Sequence, residues 1–229
     1  DTAMLREMMD AAAKRINDGE LSEVPEVELQ LRLTIGDTYR EIAAYDAAEQ
    51  MLSPAVELAR RTQNGNEARL ASALDSHARR LHEKSSPSDA LREFEAALAM
   101  RQRLHGSDHE SVAESLNHMA ECLESLGHQS DALEKYEAAL AMRQRLFKGD
   151  DQAVAESLNS VALCLWSLGR RAEALAKTEE VLAIRQRLFK GDHPDIAASL
   201  ATMASCLDAM GKMEEALPRH QEALALQRR

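Results

Sequence analysis

Aromatic residues make up only 3% of the 229-residue chain, and apolar residues never run on without a break for long. Crossing a bilayer as a helix takes about eighteen or more consecutive apolar residues, so no segment qualifies. The opening "DTAMLREMMD" also lacks the charged-then-apolar order that directs export. An excess of basic charge is missing too. Lys and Arg number 28 against 39 Asp and Glu, a formal net charge of −11. That balance makes nucleic acid and anionic membrane poor partners and suits a basic or neutral peptide better. Gly-rich phosphate loop, nucleophile elbow and metal-spaced histidine pair are all lacking. The expectation is therefore a non-enzyme with no cofactor and no metal.

Cysteine is scarce, and its spacing excludes a disulfide framework. Cys122, Cys164 and Cys206 stand 42 residues apart. Equivalent positions in stacked helical units lie farther apart than neighbouring packed helices, which are about 8–10 Å axis to axis. A disulfide needs Cα atoms within about 7 Å. The three are expected as small buried hydrophobes of a repeated core.

What is present is repetition. Ala, Leu, Glu and Arg dominate, which favours helix. "ALAMRQRL" at 97–104 returns unchanged at 139–146, as "VLAIRQRL" at 181–188 and as "ALALQRR" at 223–229. "ESLNHMAECLESLG", "ESLNSVALCLWSLG" and "ASLATMASCLDAMG" precede the later copies, beginning at Glu114, Glu156 and Ala198. Self-similarity at such a period signals a solenoid of supersecondary units. Each unit reads as two helices, the first ending at Gly127, Gly169 or Gly211, where glycine can turn left-handed without steric cost. In the second unit "KSSPSD" replaces that glycine. Asp108, Asp150 and Asp192 lie where a carboxylate could cap the next helix, and Pro194 suits a first helical turn.

Two ladders of small residues run through the units: Gly36, Ala78, Ala120, Ala162 and Ala204 in the first helices, Ala48, Ala90, Ala132, Ala174 and Ala216 in the second. Bulky residues flank them, among them Tyr39, Leu52, Phe94 and Tyr136, so an antiparallel pair can interdigitate. This small–large–alanine order resembles the tetratricopeptide repeat. The 42-residue step, with "LFKGDHPDIA" between units and "SLN" opening the first helix, is similar to the kinesin-light-chain-like subgroup. The resemblance covers about residues 29–229. Residues 4–50 also resemble the start of the repeat region of large bacterial serine/threonine protein kinases.

The resemblance implies an all-α, right-handed solenoid of about eleven helices. Residues 1–24 form a capping helix and linker. Five helix pairs follow at about 25–64, 65–107, 108–149, 150–191 and 192–229, the last without a capping helix. It also implies a groove lined by the first helices, faced at one equivalent position by Asp75, Asn117, Asn159 and Ala201. An Asn amide offers an acceptor and two donors, enough to pair an extended peptide backbone. Such an Asn either contacts a ligand or sits solvated on an open face. Helical spacing adds Glu114, Glu121 and Glu124 beside Asn117, and Glu156, Leu163 and Trp166 beside Asn159. Trp166 either anchors a ligand or packs on the following pair. Arg79 and His82 offset the acidic bias in the second unit.

The remaining polar residues carry less. His77 stands where other units have Ile35, Met119, Val161 and Met203, and reads as a core histidine with a hydrogen-bond partner. The histidines of "DHE" and "DHP" belong to the loops, and the many Glu–Arg pairs read as solvated faces. The expected function is peptide binding within a scaffold or sensor region of a larger signalling protein, with a structural or oligomerising spacer as the alternative. Self-association would run through the repeat ending at Arg229. Its compartment follows from the parent: cytoplasmic, or extracytoplasmic if that parent is a membrane-spanning kinase.

Overall fold

Repetition in the sequence becomes repetition of helix pairs. The computed structural model describes residues 2–62, 67–106 and 108–228, and these hold eleven helices and no strand. A single helix, α1 (Thr2–Asn17), comes first. Five pairs follow: α2 (Pro25–Glu41) with α3 (Tyr45–Arg61), α4 (Glu67–Glu83) with α5 (Pro87–His105), α6 (Glu110–Ser125) with α7 (Gln129–Leu146), α8 (Gln152–Ser167) with α9 (Arg171–Leu188), and α10 (Pro194–Ala209) with α11 (Met213–Gln227). The expected boundaries at 64/65 and after 107, and Arg229, lie outside the described residues. Two compact units result, Asp1–Gly106 and Ser107–Arg229. No helix among the described residues is long and apolar enough to cross a membrane.

Small residues set how closely each pair approaches. Ala48, Ala90, Ala132, Ala174 and Ala216 are all fully buried. At Gly36 the fit is tighter still, since a Cβ there would come 2.6 Å from Leu52 Cγ. The first unit closes over one core cluster around Leu29, Tyr39, Leu52 and Leu70, to which α1 adds Met9 and Ile16. The second has two, one around Tyr136, Leu158 and Val161 and one around Leu182, Leu200 and Met203. Burying each such side chain contributes roughly 1.5–3 kcal/mol. With the core distributed in this way, stability adds up from neighbour to neighbour.

The turn inside every pair has one geometry. Gly127, Gly169 and Gly211 have φ of 83°, 75° and 77°, and the equivalent Ala43 and Ser85 adopt 56° and 65°. At Gly127 the glycine N–H donates to Glu124 O and the next N–H to Leu123 O, a paired closure that uses up orphan helix carbonyls. Ala43 and Ser85 make the same two bonds. Glycine is thus the favoured occupant, and the backbone geometry persists without it.

The helix caps correct the sequence expectation by one residue. His109 Nδ1 accepts from Ser111 N, Asp151 Oδ1 from Ala153 N, and His193 Nδ1 from Asp195 N. The loop histidines therefore satisfy orphan amides. Asp108 and Asp150 instead form two-point ion pairs with Arg145 and Arg187. The arginines two residues earlier, Arg143 and Arg185, are buried and run from α7 to α8 and from α9 to α10. They are structural fasteners and not solvated charge.

Candidate functional site

Exposed and half-buried residues of α6, α8 and α10 fall at equivalent positions and form matching stripes on the three first helices. Glu114, Asn117, Glu121 and Glu124 share the stripe of α6, and Glu156, Asn159, Leu163 and Trp166 that of α8. On α10 the equivalents are Ala198, Ala201, Ser205 and Asp208. Glu114, Glu121, Glu156 and Leu163 are exposed, while Asn117, Glu124, Asn159 and Trp166 are half-buried. Sequence reasoning named nine of these positions, Ala201 among them, and each lies on the stripe of its own helix.

Charge is sharply sorted across this unit. Helices α6, α8 and α10 contain no Lys or Arg at all, whereas α7, α9 and α11 carry all the lysines and arginines of the three pairs' helices. The α6 carboxylates therefore have no cation on their own helix. Glu124 is oriented by Tyr136, whose hydroxyl donates to Glu124 Oε2 at 2.9 Å. Burial, and then the Glu124 charge, pushes the Tyr136 hydroxyl above its ordinary range. Glu124 also acts on Cys164: burial first and this carboxylate second push that thiol up to about 12. Ala120 of α6 and Leu158, Val161 and Cys164 of α8 belong to one core cluster. At their N-terminal ends, α8 and α10 are tied by Gln152 Nε2, which donates to Glu156 at 3.1 Å and Asp195 at 3.3 Å.

Asn117 carries the most informative detail. Its Oδ1 is enclosed by the protein yet has no hydrogen-bond donor among the described residues. A desolvated acceptor left in that state costs about 1–3 kcal/mol, so turning the half-buried amide outward to meet a ligand donor would be rewarded. Trp166 is half-buried, packs against the core cluster of its unit and has the Arg171 guanidinium 6.0 Å from its ring centroid. Leu163 beside it is 46% exposed.

Positions in the first unit are placed differently. Asp75 is only 4% exposed, accepts from Arg101 Nη1 at 2.8 Å and is ion-paired with Arg79, whose Nε lies 3.2 Å away. The acid at this position is spent internally. Arg79 is also 3.8 Å from Asp37, which accepts from Ser76 Oγ at 2.9 Å. His77 fits its reading as a core histidine: Nδ1 lies 2.7 Å from Glu93 and Nε2 3.3 Å from Glu49.

Of the residues that support these stripes, Tyr136 was named from the sequence only as a bulky packing residue, and Gln152 not at all. A signal existed for the first. Tyr136 lies 12 residues after Glu124, and His220 lies 12 after Asp208, which it also contacts at 2.9 Å. Cys122, Cys164 and Cys206 are buried and unpaired by disulfide, and among the described residues no group of three His, Cys, Asp or Glu could hold a metal.

Antiparallel helix pairs of one design, recurring every 42 residues and presenting aligned first-helix stripes, define an α-solenoid built for contact with other molecules. The tetratricopeptide repeat model matches residues 81–145 and 153–229, more than half of the chain, and the chain belongs to that family. Members of this family generally serve as non-enzymatic scaffolds that bind other proteins. No curated protein matches the sequence. Among solved structures, BtubC (BKLC) from P. vanneervenii is similar at 20% identity and a TM-score of 0.84, over 99% of this chain and 92% of that one. A Podosopora anserina protein described as a kinesin light chain with nearly identical TPR-like repeats is similar at 21% identity and a TM-score of 0.76, over 87% and 94%. The signal transduction ATPase (STAND) protein with a tetratricopeptide repeat sensor from Pyrococcus horikoshii gives 16% identity and a TM-score of 0.78, over 99% of this chain and 34% of that one.

Proposed function

We propose that the first-helix face of the second unit binds an extended peptide segment of a protein partner, and that the chain has no catalytic role of its own. The unsatisfied Oδ1 of Asn117 carries this reading. With Asn159 on the adjacent stripe, two amides stand ready to pair a backbone without specifying its side chains. The cation-free helices favour a segment of basic character. The presence of a similar fold in a sensor region of a larger ATPase supports a comparable place for this chain within a signalling protein, such as a bacterial serine/threonine kinase. A peptide array probed with the wild type and the N117A/N159A variant tests the proposal. Lost capture at unchanged helicity is expected, and equal capture by the two proteins would sink it.

A second reading is self-association through α11. Leu217 and Leu224 are 59% and 46% exposed, whereas their equivalents Leu133 and Leu140 in α7 are buried. Light scattering over a concentration series should then show a mass that rises with concentration for the wild type but stays constant for L217E/L224E.

A further inference from the structure

The stripes are not uniform, and their sequence of chemistries points to a spaced motif in the ligand. At their N-terminal ends the α6 and α8 stripes are alike, Glu114 matching Glu156 and Asn117 matching Asn159. They then diverge. Glu121 and Glu124 on α6 are matched by Leu163 and Trp166 on α8, and by Ser205 and Asp208 on α10. A chain crossing this half of the face meets a carboxylate pair, then an open apolar pair, then a small residue and an acid already engaged by His220.

Each station selects its own side chain. At α6, Glu121 is exposed and Glu124 is half-buried and oriented by Tyr136, so a cation is met by acceptors held in place before it arrives. With no Lys or Arg on α6, α8 or α10, the ligand's cation has no competitor on these helices. Leu163 and the open part of Trp166 offer a contiguous apolar seat on α8, where a small or charged ligand residue would leave apolar surface wet. The distance between stations follows from packing. As equivalent members of successive pairs, α6 and α8 lie farther apart than neighbouring packed helices, which are about 8–10 Å axis to axis, and an extended chain advances about 3.3 Å per residue. More than about three residues therefore separate the two side chains.

Resting on the peptide-binding reading, we propose that the partner segment carries a lysine or arginine more than three positions from a large aliphatic or aromatic residue, the cation seated on Glu121 and Glu124 and the apolar side chain on Leu163 and Trp166. The motif is bipartite. Losing either half weakens binding by its own share, and charge alone is not sufficient.

An immobilised array of twelve-residue Ser/Gly/Ala peptides, each bearing one arginine and one leucine at separations of one to six, tests this with fluorescently labelled protein. Capture should be highest at separations of four to six, about tenfold above separations of one to three and above peptides with glutamate in place of arginine. It should fall as salt is raised. E121Q/E124Q should abolish the preference for arginine while keeping that for leucine, and Leu163→Ser should do the reverse. N117A/N159A is probed in parallel. Capture that depends on the asparagines but ignores spacing and charge overturns the motif and leaves the face assignment standing. Absence of capture by every peptide overturns both.

Discussion

Arg185 Nη1 donates to Ser199 Oγ at 2.8 Å and to Asp195 O at 3.1 Å, repeating what Arg143 does with Ser157 and Ala153 one repeat earlier. In both cases the guanidinium leaves the second helix of one pair and ends in the first turns of the next. Arg143 also takes Glu110, at 2.6 and 3.0 Å, so it fastens three helices at once. This is why the phrase ending "RQRL" recurs: its first arginine enters the joint, and its second pairs with a loop aspartate in the copies at Arg145 and Arg187.

Removing that fastener should be expensive. Arg143→Ala leaves Ser157 without a donor and Glu110 without its cation, and should destabilise the second unit by about 3–5 kcal/mol. Arg143→Lys should recover little, since one ammonium cannot reproduce the planar fork. Urea denaturation followed by circular dichroism measures both.

The left-handed turn residues give a stabilising prediction. Ala43 and Ser85 hold φ of 56° and 65°, where an L side chain is strained by about 1–2 kcal/mol. Ala43→Gly and Ser85→Gly should each raise stability by about 1 kcal/mol, after allowing for glycine's extra freedom when unfolded. Gly127→Ala should do the opposite. Thermal melts of the three variants decide the matter, and a fall in melting temperature for the first two contradicts it.

At Gly36 the constraint is steric. A methyl group there would lie 2.6 Å from Leu52 Cγ and 3.3 Å from Met51 Cβ. Gly36→Ala should cost about 1–3 kcal/mol through overpacking. Combined with Leu52→Ala, the loss should be clearly smaller than the sum of the two single losses, because the same space is contested. A double-mutant cycle in urea reads the coupling directly.

The thiols make stability fall on the alkaline side. Burial pushes Cys122 and Cys164 up to about 12 in the folded chain, while an unfolded thiol ionises near 8.5. Between those values the folded state holds more protons than the unfolded one, so stability declines as pH rises. Denaturation midpoints should drop from pH 8 to pH 10, and by less in C122A/C164A. In native protein at pH 8 both thiols should resist alkylation and become reactive on unfolding.

Architecture was legible because a repeat displays each position several times over. The column Gly127, Gly169, Gly211 announces a turn, and two columns of small residues announce close pairs. What repetition could not resolve was direction at single-residue scale. In "SDHE" and "KGDD" neighbouring residues can both cap a helix, and only the backbone decides that His109 and Asp151 do so while Asp108 and Asp150 turn toward arginines. In the same way, Arg143 and Arg145 look alike in sequence, yet two residues along a helix is more than half a turn, so one is buried and the other exposed. Asp75 was misleading for a similar reason. It occupies the column of Asn117 and Asn159, but Arg79 and Arg101 close over it, and no local pattern links residues 26 apart.

Because Arg143 and Arg185 engage their successors through matching serines and carbonyls, the joints are interchangeable. Excising residues 150–191 would bring Arg143 up to Ser199 with its grip intact, and the splice would delete Leu163 and Trp166 along with Asn159. What the protein recognises can therefore be edited by whole-repeat gain or loss, with the scaffold on either side of the cut left in working order.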